Sequence, residues 1–169
     1  MNKLSAFRKK LDIYLGYFLA FLMGFMVLDV VWGVGARYLF NNPSSLTDEL
    51  ARYLLIWVGL LGASLASGNG MHLAIDLLPK KLEPPRRRIL NIVIEVLIFL
   101  FALGILVIGG IRLMYITLVL GQASPALNIP LGYVYMVLPL SGILIMFYSM
   151  VNIIKSVNEE PQPKEQEQI

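Results

Sequence analysis

The stretch that decides the fold runs from Arg37 to Asp76 and reads RYLFNNPSSLTDELARYLLIWVGLLGASLASGNGMHLAID. A turn-forming segment, NNPSS, precedes a long apolar run, and a second turn segment, SGNG, ends it. A helix of about 20 apolar residues is long enough to cross a hydrocarbon core of about 30 Å. The stretch therefore predicts a transmembrane helix over about 46–66, with a turn on either side.

Three further apolar runs predict spans at about 13–36, 89–111 and 131–154. Of the 169 residues, 57% are hydrophobic and 15% are charged, whereas soluble domains carry roughly 25% charged residues. We therefore expect an all-α membrane protein with four transmembrane helices in a single domain, residues 1–156. The polar, charged tail 157–169 is expected to be disordered. The first run is too long for a cleaved signal peptide.

Basic residues cluster on one side of the predicted spans. The positive-inside rule then places both termini and the middle loop in the cytoplasm. The N-terminal segment has two open interpretations: an amphipathic helix at the membrane surface, or a basic flank of the first span. The clusters are Lys3, Arg8, Lys9 and Lys10 before the first span, and Lys80, Lys81, Arg86, Arg87 and Arg88 before the third.

Charged residues gather at the start of the second span. Asp48 and Glu49 fall in the first turn, where the helix dipole favours negative charge. Arg52 follows at a spacing that lets it pair with either acid, and Arg37 is a further partner across the first loop. This group either binds a charged ligand or pairs internally. Two acids and two bases nearly cancel, which favours internal pairing.

The middle of the second span carries small residues and a tryptophan. Trp57 lies roughly 15 Å from the helix start, too deep for the interfacial belt, so we expect it to pack against protein. Gly59, Gly62 and Ala63 form ridges that let another helix approach closely. These residues are candidates for helix or subunit contacts.

Two carboxylates, Asp29 and Glu95, lie within predicted spans. Intramembrane acids are costly and indicate an ion path, a proton relay or a polar helix contact. We favour structural roles, with Asp29 near the outer interface and Glu95 near the inner one. Glu95 is expected to reach back toward Arg88 or toward a partner subunit.

The sequence contains one histidine, His72, and no cysteine. A metal or haem site built on histidines needs further ligands, and a general base needs an oriented partner. We therefore expect His72 to have a turn or interface role. No glycine-rich phosphate loop, magnesium-type acidic cluster or nucleophile motif occurs, so the chain is not expected to be an enzyme. Its net charge of +3 does not indicate nucleic-acid binding.

The order and spacing of motifs across the deciding stretch resemble the small membrane subunit of tripartite ATP-independent periplasmic (TRAP) transporters. The likeness extends over nearly the whole chain. Two positions depart from the family pattern: Leu46 stands where tryptophan is frequent, and 67–69 lack the usual basic residues. The motifs are Arg37-Tyr38-x-Phe40, DELARYLLIW at 48–57, Leu61-Gly62-Ala63, and Gly70-x-His72-Leu73-x-x-Asp76.

The resemblance implies a three-part importer in the bacterial inner membrane. A periplasmic binding protein captures an organic acid, such as a C4-dicarboxylate or a sialic acid. A large membrane subunit then carries it by an elevator-like movement coupled to sodium. The small subunit is expected to brace the large one within the lipid and to help dock the binding protein. It is expected to need no cofactor, because sodium coupling belongs to the large subunit.

Two rival hypotheses remain. The chain is alternatively a self-sufficient, proton-coupled four-helix exporter that uses Asp29 or Glu95, or a small membrane enzyme. Transporters build their sites from broken helices at mid-membrane. The first three spans contain no strong predicted break, whereas Pro139 and Gly142 predict a kink in the fourth. The scaffold hypothesis is therefore preferred.

Overall fold

The computed structural model describes residues 2–39, 45–68 and 84–158. His72, Asp76 and the tail from residue 159 lie outside these described residues. Four helical stretches within them are long and apolar enough to cross a membrane, as predicted: Ala6–Leu39, Ser45–Gly68, Arg88–Val119 and Leu131–Val157. The elements are α1 (Asn2–Leu39), α2 (Ser45–Gly68), α3 (Pro84–Phe101), a π-helical segment (Ala102–Gly109), α4 (Gly110–Val119), α5 (Leu131–Tyr135) and α6 (Val137–Asn158).

Helix α1 is longer than the predicted first span. Its 38 residues extend about 57 Å at 1.5 Å per residue, and they include the basic N-terminal segment without a break. The ring of Phe7 packs edge-on against Phe147 of α6, with centroids 5.6 Å apart. The beginning of α1 is therefore part of the packed structure, and no separate interfacial helix is seen within 2–39.

The third span also differs from its prediction. Helices α3 and α4 and the π-helical segment between them form one continuous stretch that ends at Val119 rather than near Ile111. Arg112 therefore lies inside the span and not just beyond it. The π-helical segment is an irregularity that the sequence analysis did not anticipate, because its composition is simply apolar and a π-helix leaves no clear local signal.

The fourth span is interrupted at Met136, between α5 and α6. Pro139 has no backbone N–H, so it cannot donate the helical hydrogen bond to the carbonyl of Tyr135, four residues earlier. The predicted irregularity near Pro139 is thus confirmed. The last helix continues to Asn158, two residues into the segment predicted as a tail.

The four spans pack as an open row. α1 packs on α2, α2 on α6, and α6 on α3 and the π-helical segment. In the most apolar window of each span, 44% of residues are buried in the fourth span but only 11% in the first, which lies at an edge of the row. The buried core cluster joins α1, α2 and α6 through Leu19, Leu22, Leu61 and Val137.

Polar contacts join the helices of the row near both ends of the helices. At the N-terminal end, Arg8 of α1 meets Gly68 of α2 and Asn152 of α6. At the loop end, Arg37 of α1 meets Asp48 of α2, and the connection between α4 and α5 lies beside them. The polar side chains discussed below belong to one of these two ends, except those of Asp29 and Trp57.

Candidate functional site

The connection between α4 and α5 at the loop end is a compact, self-bonded turn. Ser124 donates its N–H to the carbonyl of Ile129 and accepts the N–H of Asn128, both at 2.9 Å. Its hydroxyl accepts the N–H of Leu127 at 3.1 Å. Gly121 adopts φ 61° and Asn128 φ 53°, a left-handed conformation that glycine and asparagine tolerate best. The turn is therefore well defined although it contains no charge.

Glu49 ties this turn to α2. Its Oε2 accepts the N–H of Ala126 at 2.9 Å, and its Oε1 accepts the hydroxyl of Tyr53 at 2.6 Å. The residue is buried, with 9% exposure, so these bonds satisfy a carboxylate that has little access to solvent. The sequence placed Glu49 at the helix start but gave no signal for a partner so far along the chain.

Arg37 and Asp48 form the ion pair expected across the first loop, with Nη2 and Oδ2 3.2 Å apart. Both side chains are largely exposed, so the pair contributes at most about 1 kcal/mol. The alternative pairs of Arg52 with Asp48 or Glu49 are not formed, because each acid is engaged elsewhere. Among the described residues, Arg52 makes no hydrogen bond or ion pair, and its side chain is exposed.

The start of α2 and the turn between α4 and α5 surround a cavity of about 350 Å³, which we call the loop-end notch. Asp48 is paired with Arg37. Glu49 is held by the neutral donors of Tyr53 and Ala126, and Arg52 has no ion-pair partner among the described residues, so the notch holds one charge of each sign outside an ion pair. Its lining consists of Ser45, Asp48, Glu49, Arg52, Pro125 and Ala126.

Trp57 packs within the protein, in line with its depth. Its indole N–H donates to the carbonyl of Val134 at 3.1 Å, and its ring lies against the core cluster. The small residues nearby behave differently. A methyl group added at Gly59 or Gly62 would meet nothing within 4 Å, and Ala63 is exposed. The two glycines therefore leave open space beside α2 among the described residues.

At the N-terminal end, Glu95 is buried with 8% exposure. It accepts the hydroxyl of Ser149 at 2.6 Å and the side-chain amide of Asn152 at 3.0 Å. The expected contact with Arg88 is not formed, since that guanidinium donates to the carbonyl of Val157. A buried acid is thus satisfied by neutral donors on α6.

The network continues to α1 through Asn152, whose side-chain oxygen accepts Arg8 at 3.1 Å. Arg8 also donates to the carbonyl of Gly68 and lies 3.9 Å from Asp12. Asp12 in turn accepts the hydroxyl of Tyr148 at 2.6 Å. We call this set, with Glu95 and Ser149, the four-span network, because it links all four spans.

Sequence reasoning missed the four-span network. The available signal was a pair of polar residues, Ser149 and Asn152, three apart in an otherwise apolar span, which places them on one helix face. Their partners on three other helices have no local pattern. Asp29, by contrast, lies in the loop-end half of α1, where its buried Oδ2 accepts no hydrogen bond from the described residues. The structure therefore does not bring Asp29 and Glu95 together.

The described residues contain no group of three or more His, Asp or Glu side chains arranged to hold a metal ion. The polar features of these residues are instead the loop-end notch, the four-span network and Asp29. The first two are built on contacts between separate elements, whereas Asp29 has a buried oxygen without a donor among the described residues.

Comparison with known proteins agrees with this arrangement. Residues 26–159 match the family described as tripartite ATP-independent periplasmic transporters, DctQ component. The chain is 30% identical over 158 residues to a protein of Haemophilus influenzae named as a TRAP transporter small permease, covering 93% of this chain and 94% of that protein. It is 31% identical over 122 residues to the sialic acid TRAP transporter small permease protein SiaQ of Vibrio cholerae, covering 69% and 70%.

A third relative is much longer. The sialic acid TRAP transporter permease protein SiaT of Haemophilus influenzae is 28% identical over 144 residues, which are 82% of this chain but 21% of that protein. SiaT thus carries a region like this chain and a larger remainder in one polypeptide, which supports a large membrane partner for this chain. With most of its length matched by the family and four membrane-crossing helices, this chain is an integral membrane protein of the DctQ family, the small permease subunits of TRAP transporters.

Proposed function

We propose that this chain is the scaffold subunit of a sodium-coupled importer for an organic acid and has no catalytic role of its own. The substrate class is supported by the relatives whose names specify sialic acid. In this proposal the substrate and sodium sites belong to the large subunit, in the bacterial inner membrane. The small subunit widens the part of the complex that stays fixed in the lipid.

The observation that carries the proposal is the open row of spans. A row presents broad apolar faces to lipid or to a second protein, whereas a self-sufficient transporter needs helices that enclose a path. Glu95, a candidate proton carrier in the rival hypothesis, is held by Ser149 and Asn152 within the four-span network. This arrangement favours a rigid brace over an exporter.

The loop end is proposed to face the periplasm, with both termini in the cytoplasm. The count of basic residues supports this orientation. The turn that Glu49 holds against α2 then offers the periplasmic binding protein a rigid surface. Such rigidity suits docking, because little conformational entropy is lost on contact.

Reconstitution tests the scaffold role. The large subunit is placed in liposomes with and without this chain, and uptake of the organic acid is measured with the binding protein and a sodium gradient. We expect uptake to require both subunits, and this chain alone to give none. Full uptake by the large subunit alone would remove the scaffold role, and proton-driven efflux by this chain alone would favour the exporter.

A further inference from the structure

We propose that a transmembrane helix of the large subunit docks on one face of α2 and pairs a carboxylate with Arg52. This open face of α2 consists of Arg52, Leu55, Gly59 and Ala63, all of them exposed. The inference rests on the proposed function and deepens it by assigning the surface and the chemistry of the contact.

The charge of Arg52 favours a partner from another polypeptide. It lies in a span and has no partner among the described residues, because Asp48 and Glu49 are engaged elsewhere. An arginine at the centre of a span costs about 2.5–3.5 kcal/mol, and less toward the interface. The neighbouring segment 40–44, which the structure does not describe, contains no acidic residue. A carboxylate from another polypeptide would offset this cost.

The open face of α2 runs along the helix into the membrane. Positions 52, 55, 59 and 63 are three or four residues apart, so they form one stripe along the helix. The stripe begins beside the loop-end notch and continues into the apolar part of the span. Leu55 is 60% exposed, and a methyl group on Gly59 would touch nothing. An occupant that covers both the charge and this stripe must itself lie in the membrane.

The large subunit fits this face better than other occupants. An anionic phospholipid offers a phosphate to Arg52 and acyl chains to the stripe, but the small residues Gly59 and Ala63 favour the close approach of another helix. A second copy of this chain, related by a two-fold axis along the membrane normal, would bring two Arg52 side chains to the same depth and so repel. The soluble binding protein does not reach into the membrane. SiaT joins a region similar to this chain to a longer stretch of polypeptide, and so keeps the two parts close together.

Single-cysteine cross-linking tests the docking face, and the absence of native cysteine makes each probe unambiguous in this chain. Leu55→Cys and Ala63→Cys are labelled with a photoreactive maleimide in the complex with the large subunit. Ile105→Cys is the control, since it is 59% exposed but lies in the third span. We expect several-fold more cross-linked large subunit from positions 55 and 63. An equal or greater yield from position 105 would overturn the proposal.

Charge variants test the pairing. We expect Arg52→Glu to lower the amount of co-purified large subunit by about tenfold, equivalent to about 1.4 kcal/mol, and Arg52→Gln to lower it less. The control is Arg112→Gln, another exposed arginine in another span, which should leave co-purification unchanged. Arg52→Gln should melt like the wild type when isolated, because Arg52 makes no hydrogen bond or ion pair with the described residues.

The outcomes separate this inference from the proposed function. Normal co-purification of Arg52→Glu, with a loss of bound anionic lipid seen by mass spectrometry, would assign Arg52 to lipid and overturn the docking face alone. A wild-type complex that forms but does not cross-link at positions 55 and 63 would do the same. Failure of the wild-type chain to co-purify the large subunit would remove both proposals.

Discussion

Two glutamates in this protein illustrate how a membrane span accommodates an acid at the scale of single residues. Glu49 and Glu95 are both buried, and each accepts hydrogen bonds from two neutral donors. In lipid the alternative to such bonds is an unsatisfied charge, which is costly. Glu49 therefore ties the α4–α5 turn to α2, and Glu95 links α3 to α6. The hydrogen bonds that each glutamate accepts offset the cost of burying it.

Substitution of Glu95 tests this structural role. Glu95→Ala leaves the Ser149 hydroxyl and the Asn152 amide without their acceptor, and we expect a loss of about 1–3 kcal/mol of stability. Glu95→Gln keeps a carbonyl acceptor and should lose less. The measurement is the melting temperature of the purified chain in detergent.

The control for Glu95 is Leu97→Ala on the same helix, because Leu97 is 60% exposed. That variant should melt close to the wild type. If Glu95→Ala melts no lower than Leu97→Ala, the carboxylate does not stabilise the row.

At the scale of elements, the third span approaches α6 closely at the π-helical segment and at the start of α4. A methyl group at Gly142 would lie 2.8 Å from the Cβ of Leu106, and one at Gly110 would lie 2.8 Å from the Cβ of Leu138. Both distances are shorter than a normal van der Waals contact, so only glycine fits at these positions. The π-helical segment therefore lies at a close contact between the third span and the fourth.

A matched pair of glycine substitutions tests this packing. Gly142→Ala is expected to cost about 1–3 kcal/mol, because the added methyl overlaps Leu106 and Val107. Gly104→Ala, in the π-helical segment, is expected to cost nothing, since its methyl would meet no atom within 4 Å. Thermal unfolding of both variants gives the comparison, and equal melting temperatures would contradict the tight contact.

At the scale of the whole molecule, the open row determines what each surface can do. Its outermost helix, α1, has most of its apolar side chains exposed, whereas α6 lies inside the row. The four-span network closes the N-terminal end and the Glu49 contact secures the turn at the loop end. The two ends are therefore tied by polar contacts, while the length between them is apolar and open to lipid or to a partner.

Labelling of single cysteines in intact cells tests the proposed orientation. Pro125→Cys in the turn should react with a membrane-impermeant maleimide, because the loop end is proposed to face outward. Ala6→Cys at the start of α1 should react only after the inner membrane is permeabilised, and it leaves the basic residues in place. Both positions are exposed. Labelling of Ala6→Cys in intact cells would reverse the assigned topology.

Length and hydropathy alone determined the existence of four spans, and the ordered motifs between Arg37 and Asp76 indicated the family. These features are local, since a helix long and apolar enough to cross lipid needs no knowledge of its neighbours. The Arg37–Asp48 pair was also predictable, because a short loop keeps its two residues close. The irregularity near Pro139 followed from the missing N–H of proline.

Only the tertiary structure decided the order of the row, the π-helical segment and the partners of Glu49 and Glu95. It also decided that Arg52 has no partner among the described residues. Each depends on residues far apart in sequence meeting across helices. Apolar spans carry little information about which faces meet, because lipid and protein interiors are similarly apolar and no hydrophobic gain selects one arrangement. Packing at glycines and a few hydrogen bonds make that choice, and both are properties of assembled helices.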